Sequence, residues 1–206
     1  LSGHRRYSHV TTIRCDGVNP GLLGMNKVIS EDALRRALLA IPEEAGVSWL
    51  DGHLSESTAP LLDVPWVLDI DTTIKPLYGK QEGAVVSYNP KKPGRPSHSY
   101  HTYLMAGLRL VMGVEVKAGN EHSGRHTLPG LLRLLDALPA HHKPKMVRGD
   151  CGFGSDGIMR ELEARAQPYL FKLRLSKNVK RHIERLFRVS GWTDAGQGWE
   201  GIDSTL

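Results

Sequence analysis

The chain has 206 residues, a formal net charge of +5 and a pI near 9.3, so it is long enough for one core domain with an appendage and carries the positive excess that suits a polyanionic partner. No apolar run approaches the roughly 18 residues of a membrane-spanning helix, and the start at Leu1 leads into no apolar signal segment. Cys15 and Cys151 are too few for a secreted disulfide framework and are not spaced as a CxxC pair, which leaves a reduced, cytoplasmic protein with no membrane partner as the expectation.

Residues 1–29 hold Gly17, Pro20, Gly21 and Gly24, show no sustained periodicity, and are expected to form an irregular lead-in. Ser30 is placed to cap a helix whose Ala33, Leu34, Ala37, Leu38 and Ile41 share one face, with Pro42 ending it. A second short helix is expected near 45–54, then a mobile stretch around 55–60. The run 64–71 reads as a buried strand that ends, unusually, on two carboxylates. Residues 103–110 and 113–117 read as the arms of a hairpin. Thr127 is expected to cap a helix carrying Leu131, Leu132, Leu135 and Leu138. Residues 145–148 form a short strand leading into Gly149-Asp150, and Ser155 opens a helix with Ile158, Met159, Leu162 and Ala166 inward. Residues 169–175 alternate as a strand, and a basic helix follows from about Lys177 to Arg188. This order implies an α/β fold, a mixed sheet flanked by helices. Trp49 and Trp66 are expected in the core.

In a strand, Asp69 and Asp71 share a face opposite Leu68 and Ile70. A carboxylate in an apolar strand is too costly to leave unpaired, so each must meet a cation, a metal or solvent; a salt-bridged strand end is the plain alternative to a metal site. Asp150 sits in the glycine-rich turn Gly149-Asp150-Cys151-Gly152-Phe153-Gly154. Ligand chemistry in open α/β sheets collects beyond the carboxyl ends of the strands, so two strands ending in Asp can converge on one metal. Alternatively, Asp150 only helps form the turn.

Three segments carry a resemblance. Asp69-Ile70-Asp71-Thr72-Thr73, with Tyr78-Gly79-Lys80-Gln81-Glu82-Gly83-Ala84 and Tyr88-Asn89-Pro90-Lys91-Lys92-Pro93-Gly94-Arg95-Pro96-Ser97, resembles the first motif region of DDE transposases from bacterial insertion sequences. Val147-Arg148-Gly149-Asp150-Cys151-Gly152-Phe153 resembles their second, and with Tyr169-Leu170-Phe171-Lys172-Leu173 the similarity spans roughly 30–200. The resemblance implies a ribonuclease-H-like fold, Asp71 and Asp150 as the first two catalytic, metal-holding acids, and Mg²⁺ or Mn²⁺ in a two-metal arrangement. Asp69 has no assured role in it and is kept as a supporting group.

The chemistry so implied is metal-dependent DNA cleavage and strand transfer. Two ions about 3.5–4 Å apart can activate the attacking oxygen and stabilise the leaving one, held by hard carboxylate oxygens. The implied third acid, a Glu within a Tyr-Arg-Glu-Lys-like motif, has no match here. Glu161, Glu163 and Glu184 fall on earlier helices and Glu200 in a loop-like context, so it is expected beyond Leu206. The implied partner is double-stranded DNA, at the element ends and the target, with a homodimer on DNA and a nucleoid location in a bacterium.

Lys91, Lys92 and Arg95 on an extended loop, and Lys177, Lys180 and Arg181 on the basic helix, are the expected phosphate contacts; a solvated helix face is the plain reading of the second group. Ten histidines allow a zinc reading at His98/His101 and His122/His126, although no cysteine or acid completes an array. The expected organisation is a helical lead-in over 1–60, the catalytic core over 61–190, and the start of an insertion or C-terminal region over 191–206. Two alternatives stay open: an inactive DNA-binding remnant of such an enzyme, and a ribonuclease-H-like nuclease without strand transfer.

Overall fold

The computed structural model describes residues 6–89, 92–122 and 124–205, and the chain divides between Leu54 and Ser55 into two compact units. The first unit is helical. The lead-in expected to be irregular contains α1 (Tyr7–Arg14) and α2 (Asn19–Leu22). Pro20 lies in the first turn of α2, where its missing N–H would have no helical partner in any case, so proline opens a helix here and does not break one. In α3 (Glu31–Leu39) the Ser30 hydroxyl accepts from the Ala33 N–H at 3.1 Å, as its sequence position predicts. The Arg35 guanidinium lies 5.2 Å from the centre of the Tyr7 ring. Val28 is the one buried apolar residue of this unit among those described, and Leu38, Ile41 and Trp49 are exposed, contrary to the expectation of an apolar face and a core tryptophan.

The helix expected near 45–54 is longer, α4 (Glu43–Thr58), and a 3₁₀ turn continues it over Ala59–Leu61, so the stretch expected to be mobile is helical. The second unit is built on a six-stranded sheet. Its strands are β1 (Val67–Pro76), β2 (Val85–Val86), β3 (Pro96–Met105), β4 (Leu110–Ala118), β5 (Met146–Gly149) and β6 (Tyr169–Phe171). β3 lies antiparallel between β1 and β4, with the short β2 on its first residues, while β5 pairs parallel with β1 and β6 parallel with β5. An antiparallel β4–β3–β1 run joined to a parallel β1–β5–β6 run is the ribonuclease-H-like mixed sheet that the resemblance implies.

Alternation sets the faces. Leu68 and Ile70 of β1, Tyr103 and Met105 of β3 and Val147 of β5 form one apolar surface, covered by Leu131 and Leu135 of α5 (Gly124–Ala137) and Ile158 and Leu162 of α6 (Asp156–Ala164). Trp66 is in this core, its indole N–H donating to the His142 carbonyl at 3.0 Å. The hairpin turn falls at 106–109, not at 111–112, because Gly107 and Arg109 adopt the left-handed backbone that a tight reversal needs. α5 begins ahead of Thr127, so that residue is buried inside the helix and does not cap it. Ala166 lies past the end of α6, exposed and left-handed, not inward as expected. β6 stops at Phe171, short of the expected 175; α7 (Lys177–Leu186) and the hairpin β7 (Thr193–Gly196)–β8 (Trp199–Gly201) follow.

Candidate active site

The parallel register of β1 and β5 positions the two predicted acids. Leu68 pairs with Val147, Asp69 with Arg148, and Ile70 with Gly149, so Asp71 and Asp150 each stand one step beyond the last paired residues of neighbouring strands. Paired strands lie about 4.8 Å apart. Both acids are exposed, and Asp71 lies on the face of β1 away from Leu68 and Ile70.

Gly149 fits tightly between these strands: a Cβ there would come within 2.9 Å of the Phe153 ring and 3.1 Å of Ile70 Cγ1. The absent side chain thus lets the turn close over the core directly before Asp150. One carboxylate oxygen of Asp150, Oδ1, accepts the Gly152 N–H at 2.8 Å, which fixes the turn, while Oδ2 makes no hydrogen bond among the described residues.

The acids of β1 differ in their partners. Arg148 forks onto Asp69, with Nε to Oδ1 at 2.7 Å and Nη2 to Oδ2 at 2.8 Å, and this bond raises the guanidinium's pKa. Asp69 is therefore the salt-bridged acid. The Asp71 carboxylate makes no hydrogen bond or ion pair among the described residues, although the Asp71 backbone carbonyl accepts from the Thr102 hydroxyl at 3.3 Å. An open carboxylate beside one whose second oxygen is free suits a hard divalent cation.

β6 adds a residue that sequence reasoning passed over. Gly149 also pairs with Phe171, so Lys172 occupies the step level with Asp150, its N–H reaching the Gly149 carbonyl at 3.5 Å. The alternation of 169–175 places Lys172 within a strand; only the end of β6 at Phe171 reveals its place at this edge. No third Asp, Glu, His or Cys completes a ligand cluster with Asp71 and Asp150 among the described residues. Glu161 pairs with Arg165 at 2.7 Å and Glu163 accepts from the Tyr169 hydroxyl at 2.7 Å, while Glu200 lies in β8 and not in a loop.

Of the predicted basic groups, those of the loop follow the acid-bearing end of β1. β1 runs on from Asp71 to Pro76, about 16 Å at 3.3 Å per residue, into the excursion 77–95. There the Arg95 guanidinium stacks 4.4 Å from the centre of the Tyr78 ring, and the Lys92 N–H donates to Asn89 Oδ1 at 3.1 Å. Lys91 lies outside the described residues. Ser176 caps α7, in which Val179, Ile183 and Leu186 are half-buried and Lys177, Lys180 and Arg181 are exposed.

The first histidine pair does not assemble. His98 and His101 lie on opposite faces of β3, an odd number of residues apart. His98 Nε2 bonds the Glu82 carbonyl at 2.8 Å, and buried His101 bonds Thr127 Oγ1 and, at 2.5 Å, the Glu121 carbonyl.

Sheet order and strand-end carboxylates together define a ribonuclease-H-like core carrying an acidic edge. The sequence model of the transposase DDE domain, group 1, matches residues 25–197, and the chain belongs to that family, which places it in the transposase class of enzymes. No curated protein matches it. Among solved structures, the HTLV-2 integrase catalytic core domain in complex with magnesium is 15% identical, over 61% of this chain and 69% of that one, with a TM-score of 0.36. A piggyBac transposase synaptic complex with hairpin DNA is 15% identical over 89% of this chain, with a TM-score of 0.45, and the chain spans only 44% of that protein. The Mos1 transposase paired-end complex with left transposon end is 11% identical, over 91% and 72% of the two chains, with a TM-score of 0.34.

Proposed function

We propose that this chain carries the first two carboxylates of a transposase active site, Asp71 and Asp150, and that its substrate is double-stranded DNA cut and rejoined at an element's ends. The observation that carries the reading is the register: Asp71, its carboxylate without a partner among the described residues, stands next to Asp150 at the end of two parallel strands, with Asp69 already neutralised by Arg148.

When bound there, Mg²⁺ or Mn²⁺ supplies a lowered pKa for the attacking water or hydroxyl and charge stabilisation for the leaving oxygen. Asp71 and Asp150, through its Oδ2, would hold the cation. Lys172, level with Asp150, offers a positive charge to the phosphate next to the scissile bond. Arg148 stays fixed on Asp69 and so does not neutralise Asp71. Lys92 and Arg95 on the excursion, with Lys91 beside them in sequence, and Lys177, Lys180 and Arg181 on α7 contact backbone phosphates away from the reacting one, fixing the duplex without reading sequence. A homodimer on the element ends, in the bacterial cytoplasm at the nucleoid, completes the reading; sedimentation with end DNA tests the dimer.

The decisive experiment compares Asp71→Asn, Asp150→Asn and Asp69→Asn in Mn²⁺ binding, followed by calorimetry. The first two should each weaken binding tenfold or more, and Asp69→Asn much less. Equal effects at all three positions would sink the assignment of Asp71 over Asp69.

A further inference from the structure

The ends of β1 and β5 opposite the acids bring together a second set of metal-ligating groups. Asp63 precedes β1; His141 and His142 lie in a 3₁₀ turn, Ala140–His142, that precedes β5. One ligand atom from each of Asp63, His141 and His142 lies within 4.8 Å of the other two. His142 Nε2 is already 2.9 Å from Asp63 Oδ1, and the two imidazole rings are 4.1 Å apart, centre to centre. For comparison, tetrahedral zinc with bonds near 2.0–2.1 Å sets its ligand atoms about 3.4 Å apart.

This cluster is held from below. The Trp66 indole donates to the His142 carbonyl at 3.0 Å, and the Lys145 N–H donates to the Trp66 carbonyl at 2.8 Å, so the segments entering β1 and β5 are already joined where the ligands emerge. The His142 side chain is 15% exposed and that of Asp63 70% exposed, which leaves one side open to water.

We infer that Asp63, His141 and His142 form a binding site for a transition-metal dication of the Zn²⁺ type, separate from the acidic edge. Two imidazoles and one carboxylate favour zinc, cobalt or nickel over Mg²⁺, which prefers oxygen ligands throughout. The ion takes the place of the proton between His142 Nε2 and Asp63 Oδ1, and that proton moves to Nδ1 or to solvent. Water fills the fourth position. The bound ion ties the lead into β1 to the lead into β5 and so holds the register of the two strands whose far ends carry Asp71 and Asp150. A plain His142–Asp63 ion pair would show none of this.

The test uses the whole chain, Zn²⁺ for calorimetry and Co²⁺ as a coloured probe, with millimolar Mg²⁺ present throughout. One equivalent of Zn²⁺ should bind and raise the melting temperature, and Co²⁺ should give visible d–d absorption that Zn²⁺ abolishes. His141→Gln, which leaves the His142–Asp63 bond intact, and Asp63→Asn should each weaken binding tenfold or more. The double variant Asp71→Asn, Asp150→Asn should bind Zn²⁺ as the unmodified chain does. Absence of saturable binding at 100 µM Zn²⁺, binding indifferent to His141→Gln and Asp63→Asn, or binding lost in the double variant would each overturn the site. Because Mn²⁺ at the acids and Zn²⁺ at the histidines are read separately, either assignment can fail alone.

Discussion

Asp69 and Asp71 are the same residue type on the same face of one strand, and their partners divide them. Arg148, directly opposite on β5, binds both oxygens of Asp69, while Asp71 stands past the last paired residue of β5 and meets no cation among the described residues. The alternation made both acids visible in sequence; choosing between them requires the strand register. His101 gives a prediction at the same scale. Its Nε2 faces the Glu121 carbonyl, which can only accept, so the ring's proton sits there and Nδ1 accepts from the Thr127 hydroxyl. A second proton would break that arrangement in a buried place, and burial accordingly lowers the His101 pKa, against the raising pull of the Glu121 carbonyl and Glu115 and with the lowering pull of Lys117 and His126. With the folded value depressed, the contribution to stability is fully present above the unfolded value of about 6.5 and is lost as the pH falls through the folded value. Urea unfolding at pH 7.5 and pH 5 should show less stability at the lower pH, with at most about 1.4 kcal/mol per pH unit from this one proton. His101→Gln should flatten the difference; an unchanged difference would remove His101 as its source.

Among the elements, α7 is legible because its cap and its periodicity are local: Ser176 accepts from the Val179 N–H at 3.3 Å, and the half-buried Val179, Ile183 and Leu186 share one face. Its exposed cations carry a prediction about DNA. Replacing Lys177, Lys180 and Arg181 by Gln should lower affinity for random duplexes and flatten the dependence of log K on log salt by up to roughly 0.9 per lost phosphate contact. Retention of both affinity and slope would mean that α7 is a solvated face. The same substitutions at Lys92 and Arg95 test the excursion separately. Elements set by distant partners are not visible in sequence. Glycines, a proline and β-branched residues mask α1 and α2, and the start of α5 lies ahead of Thr127, a favourable cap in sequence, because His101 draws that residue inside.

For the molecule as a whole, the prediction concerns catalysis. Among the described residues no third carboxylate joins Asp71 and Asp150, so this chain by itself should nick a supercoiled plasmid at least a thousandfold more slowly than a transposase holding all three acids. That factor corresponds to about 4 kcal/mol at 1.36 kcal/mol per decade. The assay uses Mg²⁺ and Mn²⁺ with a plasmid carrying the element's ends. Rapid metal-dependent nicking that Asp71→Ala abolishes would show that an acid within these residues, Glu184 or Glu200 first, completes the site.

The sequence by itself determined the two acid-bearing strand ends, the mixed α/β order and the family, because period-two alternation, caps and motif spacing are written into short stretches of chain. Tertiary structure alone decided that Asp69 is neutralised while the Asp71 carboxylate has no partner among the described residues, that Lys172 stands level with Asp150, and that His141 and His142 meet Asp63. Each of those outcomes depends on strand register or on residues as far apart as the 79 positions between Asp63 and His142. Hydrogen bonds and ion pairs act over a few ångströms of space, and separation along the chain says nothing of that distance until the sheet has formed.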